Sequence, residues 1–140
     1  MFGNSRFHKR IIILFGAVIL ISFIWFWFTP QKVFSNPSML EFASVYYHDQ
    51  YIPVDSYVLG TIISKYHFQR KIEPIGRIEL DLVTFRVDFD YKHHPIHIYL
   101  GDLNFMTHGD SYWDYNILDA QKLKEEVEAL IQRSGVGSAK

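Results

Sequence analysis

Three histidines and an aspartate form the densest cluster of metal-type ligands in the chain. His93, His94 and His97 lie close together, and Asp90 comes just before them. Imidazole and carboxylate groups bind zinc or copper, and His93 and His97 would point the same way on an extended segment. Pro95 disturbs that alternation, however, and the ligand spacing matches no metal template. The plainer hypothesis is a polar hairpin tip that holds neither a metal nor another cofactor.

A second polar cluster precedes these histidines. Arg86, Asp88 and Asp90 alternate with apolar residues, and on adjacent strands they could pair with His97 and Tyr99. The carboxylates of a glycosidase converge on a cleft from separate elements, which two acids on one open face do not do. This cluster therefore predicts an ordinary solvent face. Nucleophile, phosphate-loop and dinucleotide motifs are absent from the sequence, so we expect no enzyme activity.

Aromatic residues form a third candidate site. The chain has nine tyrosines, more than the core of a small domain requires. Exposed aromatic side chains give contact area at little cost in entropy, so they mark carbohydrate or protein contacts. Tyr46, Tyr47 and Tyr51 belong to this aromatic set, and Tyr99, Tyr112, Trp113 and Tyr115 predict a partner-binding face. The alternative is that most are half-buried sheet residues whose hydroxyls reach water.

The first element that must position these residues is an apolar helix. The segment from Ile11 to Phe28 has no charge, and Ser22 is its one polar residue. As a helix it would be about 27 Å long, close to the bilayer core of about 30 Å. Arg6, Lys9 and Arg10 precede it. Because basic residues stay cytoplasmic, we expect the N-terminus inside the cell membrane and the rest of the chain outside.

A cleaved signal peptide is the alternative to this signal-anchor. Its apolar region would span about 7–15 residues and end at small side chains. Here the apolar segment is longer and ends in the aromatics of Trp25 to Phe28. We therefore expect a cytoplasmic tail at 1–10, a membrane helix at 11–28, a linker at 29–38, an outer α+β domain at 39–133 and a flexible tail at 134–140.

Charge is unevenly distributed along the chain, whose formal net charge is −1. All fifteen acidic residues follow Met39, and the outer domain carries a net charge of about −5. A mildly acidic domain is a poor candidate for nucleic-acid binding. The chain has no cysteine, which excludes disulfides and cysteine-ligated metals. This composition favours an envelope such as that of a Gram-positive bacterium.

The outer domain combines strand and helix patterns. A strand is predicted near Leu40 to Tyr47, and an amphipathic helix at Ser56 to Gln69 with Asp55 as its N-cap. Alternation predicts β structure in Gly76 to Tyr91, with a register break near Leu82. Further strands are predicted at Ile96 to Leu100, Leu103 to Thr107 and Tyr112 to Leu118, then a helix capped by Asp119.

This order of elements, β-α-β-β-β-α after the membrane helix, predicts an α+β domain. Each predicted helix has one apolar stripe, and each strand has one apolar face. The economical arrangement is a two-layer sandwich with both helices on one face of a mostly antiparallel sheet.

The layout resembles that of small membrane-anchored or lipoprotein domains of unknown function in Gram-positive envelopes. The resemblance covers roughly Tyr46 to Gln132, and it rests on the element order and the strand–turn–strand pattern FRVDFDY…IHIYLGD. It implies the fold and brings no functional residues. This chain departs from the pattern because it has a long membrane helix and no lipid-attachment cysteine.

Together these features predict a non-enzymatic binding or accessory domain, tethered to the bilayer, that acts on an envelope protein. One alternative is an immunity or inhibitor protein that neutralises a toxin or protease at the membrane. A second is a small metal-dependent enzyme that uses the His93–His97 region. A third is a purely structural role in which the membrane helix assembles a larger complex.

Overall fold

The structure is a computed structural model that describes residues 4–71, 83–109 and 114–134. Its first helix, α1, spans Asn4–Phe28. Within α1, Phe7–Phe28 is long and apolar enough to cross a membrane, and none of its most apolar stretch is buried. The helix contains the predicted segment 11–28 and begins earlier, at Asn4. An N-terminal apolar helix of sufficient length is thus confirmed.

The described strands form one antiparallel sheet. They are β1 (Leu40–Tyr47), β2 (Gln50–Pro53), β3 (Phe68–Arg70), β4 (Val83–Tyr91), β5 (His94–Gly101), β6 (Phe105–His108) and β7 (Asp114–Ile117). Their order across the sheet is β2-β1-β4-β5-β6-β7-β3. A 3-10 turn at Pro37–Met39, capped by Asn36, leads into β1. The two edges of this sheet are therefore β2 and β3.

Two helices, α2 (Ser56–Ile63) and α3 (Ala120–Arg133), cover one face of the sheet and contact each other. Their buried side chains join the apolar side chains of the sheet in one core, where Leu59, Leu123 and Val127 are completely buried. The predicted apolar stripes of both helices are thus confirmed. So is the α+β class.

The sequence patterns do not predict β2 or β3 as strands of their own. Helix α2 ends at Ile63, so it is shorter than predicted, and β3 occupies the last part of the segment predicted as helix. The reason is long-range backbone pairing. Phe68 exchanges hydrogen bonds of 2.7 and 2.8 Å with Gln31 and pairs with Ile117 of β7. Such pairing outweighs the small differences in helix propensity.

The two predicted helix caps have different outcomes. Asp55 accepts a hydrogen bond from the N–H of Val58 at 2.8 Å, so this cap is confirmed. Asp119 occupies the N-cap position of α3, but its side chain makes no capping bond. Its backbone is left-handed, with φ of 58°, whereas a capping side chain needs an extended backbone.

Two-residue turns join β1 to β2 and β4 to β5. His48 and Asp49 form the first turn and Lys92 and His93 the second, all with φ between 47° and 63°. This is type I′ geometry, whose twist matches that of the flanking strands. The predicted hairpin tip is therefore a turn of Lys92 and His93 alone, because Pro95 already belongs to β5.

The pairing of β4 with β5 shifts register between Val83 and Phe85. This irregularity lies beside the predicted break near Leu82. Leu82 itself, the rest of the predicted strand at 76–82 and the tail at 135–140 lie outside the described residues.

Candidate functional site

The face of the sheet opposite α2 and α3, the outer face, carries two rows of cross-strand neighbours. The aromatic row comprises Tyr51, Tyr46, Arg86, Tyr99 and Phe105, one from each strand between β2 and β6. The polar row comprises Ser44, Asp88, His97, Thr107 and Asp114, from β1 to β7. Because side chains at paired positions share a face, the two rows form one continuous surface.

Arg86 is the centre of the aromatic row. Its Nε donates to Oδ2 of Asp88 at 3.0 Å, and its Nη2 donates to the hydroxyl of Tyr51. Its guanidinium carbon lies 5.0 Å from the ring centre of Tyr46 and 5.5 Å from that of Tyr51, within cation–π range. Burial lowers the pKa of Arg86, but the charge and hydrogen bond of Asp88 raise this pKa by more. Arg86 is thus a permanent cation paired with a carboxylate.

Asp88 connects this arginine to His97. Its side chain is mostly buried, with 9% of the residue exposed, and its Oδ1 lies 2.7 Å from Nδ1 of His97. A buried carboxylate is tolerated when each oxygen has a partner, as here. The contact also orients the imidazole ring, since the group that holds Nδ1 sets the direction in which Nε2 points. Asp88 therefore organises the centre of the outer face.

The end of the aromatic row at β5 and β6 is closely packed. Tyr99 stacks on Phe105 with ring centres 4.4 Å apart and planes 11° apart, and Phe105 is buried. Burial raises the pKa of the Tyr99 hydroxyl, which keeps that hydroxyl neutral at ordinary pH. This end of the row is therefore part of the packed sheet.

The outer face is open towards the β2 edge of the sheet. Tyr51 of β2 is 59% exposed. Phe42 of β1 lies on the same face of the sheet and is 54% exposed. A cavity of about 700 Å³ lies beside Tyr51, between the β1–β2 turn and the start of β4. Its volume falls in the range of small-molecule sites, about 300–1,000 Å³. This corner is the best candidate for contact with another molecule.

The clustered histidines have different partners. Nδ1 of His93 lies 3.0 Å from a glutamate of β1, His94 faces a histidine of β6, and His97 contacts Asp88. Within the part of the chain that the structure describes, no three His, Cys, Asp or Glu side chains group as a metal ion would require. The structure therefore does not bring His93, His94, His97 and Asp90 together.

The predicted aromatic face is divided between two surfaces. Tyr99 lies on the outer face, whereas Tyr115 pairs with Met106 of β6 and packs against the core on the helix side. Tyr112 and Trp113 lie outside the described residues. The structure therefore does not place Tyr99 and Tyr115 on one surface.

The predicted cross-strand pairs of β4 and β5 are confirmed, since Arg86 pairs with Tyr99 and Asp88 with His97. The remaining members of the site, Tyr46 and Tyr51, belong to the predicted aromatic set, but the sequence does not place them beside Arg86. That position depends on the return of β2 along β1 and on the pairing of β1 with β4.

A second arginine, Arg70, lies where α1 meets the sheet, at the helix–sheet junction. Its Nη1 donates to the carbonyl of Phe26 at 2.7 Å and its Nη2 to Oε1 of Gln31 at 3.2 Å. The neighbouring Gln69 donates to the carbonyl of Phe28 at 3.1 Å. The last carbonyls of a helix lack intrahelical partners and attract cations, so this junction caps α1 and attaches it to the edge strand β3.

Comparison of the chain with protein-family models, with curated proteins and with solved structures finds no match. The outer face and the helix–sheet junction are therefore the basis for the function proposed below.

Proposed function

We propose that the protein is a single-pass membrane protein that presents its α+β domain outside the cytoplasmic membrane. In this proposal the domain is a non-enzymatic binding or accessory module for an envelope protein. The N-terminus is cytoplasmic, because the basic residues precede the apolar helix. The observation that carries the proposal is the helix–sheet junction, where the end of an apolar helix is bonded directly to a folded sheet.

The junction supports retention of α1 over removal of a leader. Two donors of Arg70 bond to Phe26 and Gln31, and its guanidinium carbon lies 3.9 Å from the Phe26 ring centre. Cleavage between α1 and the domain would separate Arg70 and Gln69 from their carbonyl partners in α1. A retained anchor keeps these hydrogen bonds and holds the domain at the membrane surface.

The outer face supports a binding role. Large exposed aromatics surrounded by polar groups are typical of protein contact surfaces. Phe42 and Tyr51 have this character, whereas Tyr99 and Phe105 of the same face are packed against each other. Addition of a partner strand at the β2 edge is less favourable, because Pro53 has no N–H to donate. We therefore place the protein contact on the face, around Phe42.

Photo-crosslinking in native membranes tests the binding role. A photoreactive residue replaces Phe42 on the outer face or, as a matched control, Tyr57, which is 65% exposed on α2. We expect a discrete envelope protein to crosslink at position 42 and not at position 57. Equal crosslinking at both positions, or none at position 42, would overturn the assigned surface.

Cysteine labelling tests the topology separately. The chain contains no cysteine, so Ser5→Cys and Gln132→Cys each introduce one reactive thiol. In intact cells a membrane-impermeant thiol reagent is expected to label the Gln132→Cys protein alone. Labelling of the Ser5→Cys protein alone would reverse the proposed orientation.

A further inference from the structure

The cavity beside Tyr51 lies at the end of the sheet where the β1–β2 turn meets the start of β4, and aromatic rings from both faces of β1 line it. Its lining includes Tyr46, Tyr47 and Tyr51. The rings of Tyr46 and Tyr51 have centres 4.9 Å apart and planes tilted by 58°, while Tyr47 stacks on Phe85 at 4.7 Å. Neighbouring contacts already hold these rings in place. The tyrosine side chains would therefore lose little further entropy when a ligand stacks against them.

The polar groups of the cavity include both donors and acceptors. Arg86 contributes N–H donors, Asp49 a carboxylate and Thr84 a hydroxyl, and the hydroxyl of Tyr46 donates to Asp49 at 3.0 Å. A ligand with several hydroxyl groups can both donate to and accept from such a set.

The charges of the cavity favour a neutral ligand. The cation of Arg86, which pairs with Asp88 at 3.0 Å, and the carboxylate of Asp49 both lie in the lining, so the cavity presents groups of both signs. Asp49 would repel an anion, and Arg86 would repel a cation. Among the described residues of the lining, Val83 is the one aliphatic side chain, so a lipid tail would find few apolar contacts.

We propose that this cavity binds a neutral carbohydrate segment. A sugar ring combines a flat apolar face, which stacks on the exposed ring of Tyr51, with edge hydroxyls that reach Arg86, Asp49 and Thr84. The volume of about 700 Å³ is large enough for a short oligosaccharide. The proposal rests on the proposed function only in that a domain outside the membrane would meet envelope glycans.

The test uses the full chain in lipid nanodiscs and three neutral probes, which are triacetylchitotriose, cellotriose and maltotriose. Binding is measured by saturation-transfer NMR and isothermal titration calorimetry. We expect at least one trisaccharide to bind, and Tyr51→Ala to weaken its binding about tenfold, as loss of a stacking contact would. Tyr57→Ala, which removes an equally exposed tyrosine from α2, is expected to change the affinity less than twofold.

Tyr51→Phe separates stacking from any structural role of this residue. It keeps the ring but loses the hydroxyl that Arg86 contacts, and it should bind within about threefold of wild type. If no neutral trisaccharide binds, or if Tyr51→Ala binds as wild type does, the carbohydrate site is wrong. Neither outcome depends on crosslinking or thiol labelling in cells, so failure of the site and failure of the proposed function are distinguishable.

Discussion

The two arginine clusters, at Arg70 and at Arg86, have similar chemistry and different consequences. Each guanidinium lies against aromatic rings and donates at least two hydrogen bonds. The acceptors of Arg70 are a main-chain carbonyl and a glutamine of the segment that follows α1. The acceptors of Arg86 are the side chains of Asp88 and Tyr51, on an open face beside a cavity.

Arg70 therefore joins two elements of the fold, whereas Arg86 is part of a surface. The carbonyl of Phe26 needs a partner wherever the helix ends, so the bond from Arg70 follows from the fold itself. The acceptors of Arg86 are side chains, so these bonds depend on which residues occupy positions 88 and 51. The position of Arg86 therefore depends on the side chains of Asp88 and Tyr51, whereas Arg70 is held by a main-chain group where α1 ends.

The largest expected effect is that of Asp88→Ala, which removes the group that balances Arg86. It leaves Arg86, a partly buried cation, without its carboxylate partner. Because both partners of Asp88 keep some contact with water, we expect a loss of about 2–3 kcal/mol in the free energy of unfolding. Chemical denaturation of the full chain in detergent measures this loss.

Asp90→Ala is the matched control for this change. Asp90 lies two residues further along the same face of β4 and is more exposed than Asp88. We expect its replacement to change the free energy of unfolding by less than about 0.5 kcal/mol. If both variants lost the same free energy of unfolding, Asp88 would contribute no more to the fold than Asp90 does.

The next expected effect is that of Arg70→Met, which keeps the length of the side chain and removes its donors. The domain should lose about 1–2 kcal/mol, since hydrogen bonds from charged groups are the stronger ones. A more specific outcome is looser attachment of α1. Spin labels on α1 and α3 should show a broader distance distribution than in wild type.

Lys71→Met is the control for the junction, because the backbone of Lys71 pairs with Asp114 while its side chain is a neighbouring cation. An unchanged distance distribution in Arg70→Met, together with wild-type stability, would mean that the junction does not hold the helix.

The contrast between the two clusters also explains what the sequence could predict. The alternation in β4 and β5 is local, so it predicted which residues of these strands share a face and which of them pair. The apolar stripe of α3 is local in the same way. Contacts made within one strand or helix, or across one tight turn, leave a periodic signal.

The junction leaves no such signal. Arg70 bonds to Phe26 across forty-four positions of the chain, and Phe68 pairs with Gln31 in a segment predicted as linker. The histidine cluster shows the converse, since closeness in sequence predicted a convergence that alternate side-chain directions and a tight turn prevent. The sequence therefore predicted which residues of β4 and β5 pair, but neither the burial of Asp88, nor the position of Tyr51 beside Arg86, nor the attachment of α1.

A smaller effect, of opposite sign, is expected for Ser44→Ala in the polar row. Among the described residues, the hydroxyl of Ser44 is buried, with 3% of the residue exposed, and has no hydrogen-bond partner. Removing a buried unsatisfied hydroxyl should stabilise the fold by about 1 kcal/mol. Ser64→Ala is the control, because its hydroxyl donates to the carbonyl of Thr61 at 2.9 Å and its loss should not stabilise. Destabilisation by Ser44→Ala would show that this hydroxyl contributes to folding.

The smallest expected effect is a pH dependence in the helix layer, which neither arginine touches. Burial raises the pKa of Glu126, but its hydrogen bonds with Lys65 and Tyr66, at 2.9 and 2.7 Å, lower this pKa by more, so that it lies below the ordinary 4.5. The ionised form is thus favoured in the folded state. Its contribution to stability is present above pH 4.5 and is lost as the pH falls through the lowered value.

Glu126→Gln should remove this acid-side slope and lower stability at neutral pH by about 0.5 kcal/mol, because the ion pair is largely exposed. Denaturation curves between pH 3 and pH 7 measure the slope, with Glu125→Gln as the neighbouring control. Arg70→Met should keep the same slope as wild type, since the acceptors of Arg70 are neutral and do not titrate in this range. A slope that changed with Arg70 would mean that the junction and the helix layer are coupled, and that Arg70 does more than join α1 to the sheet.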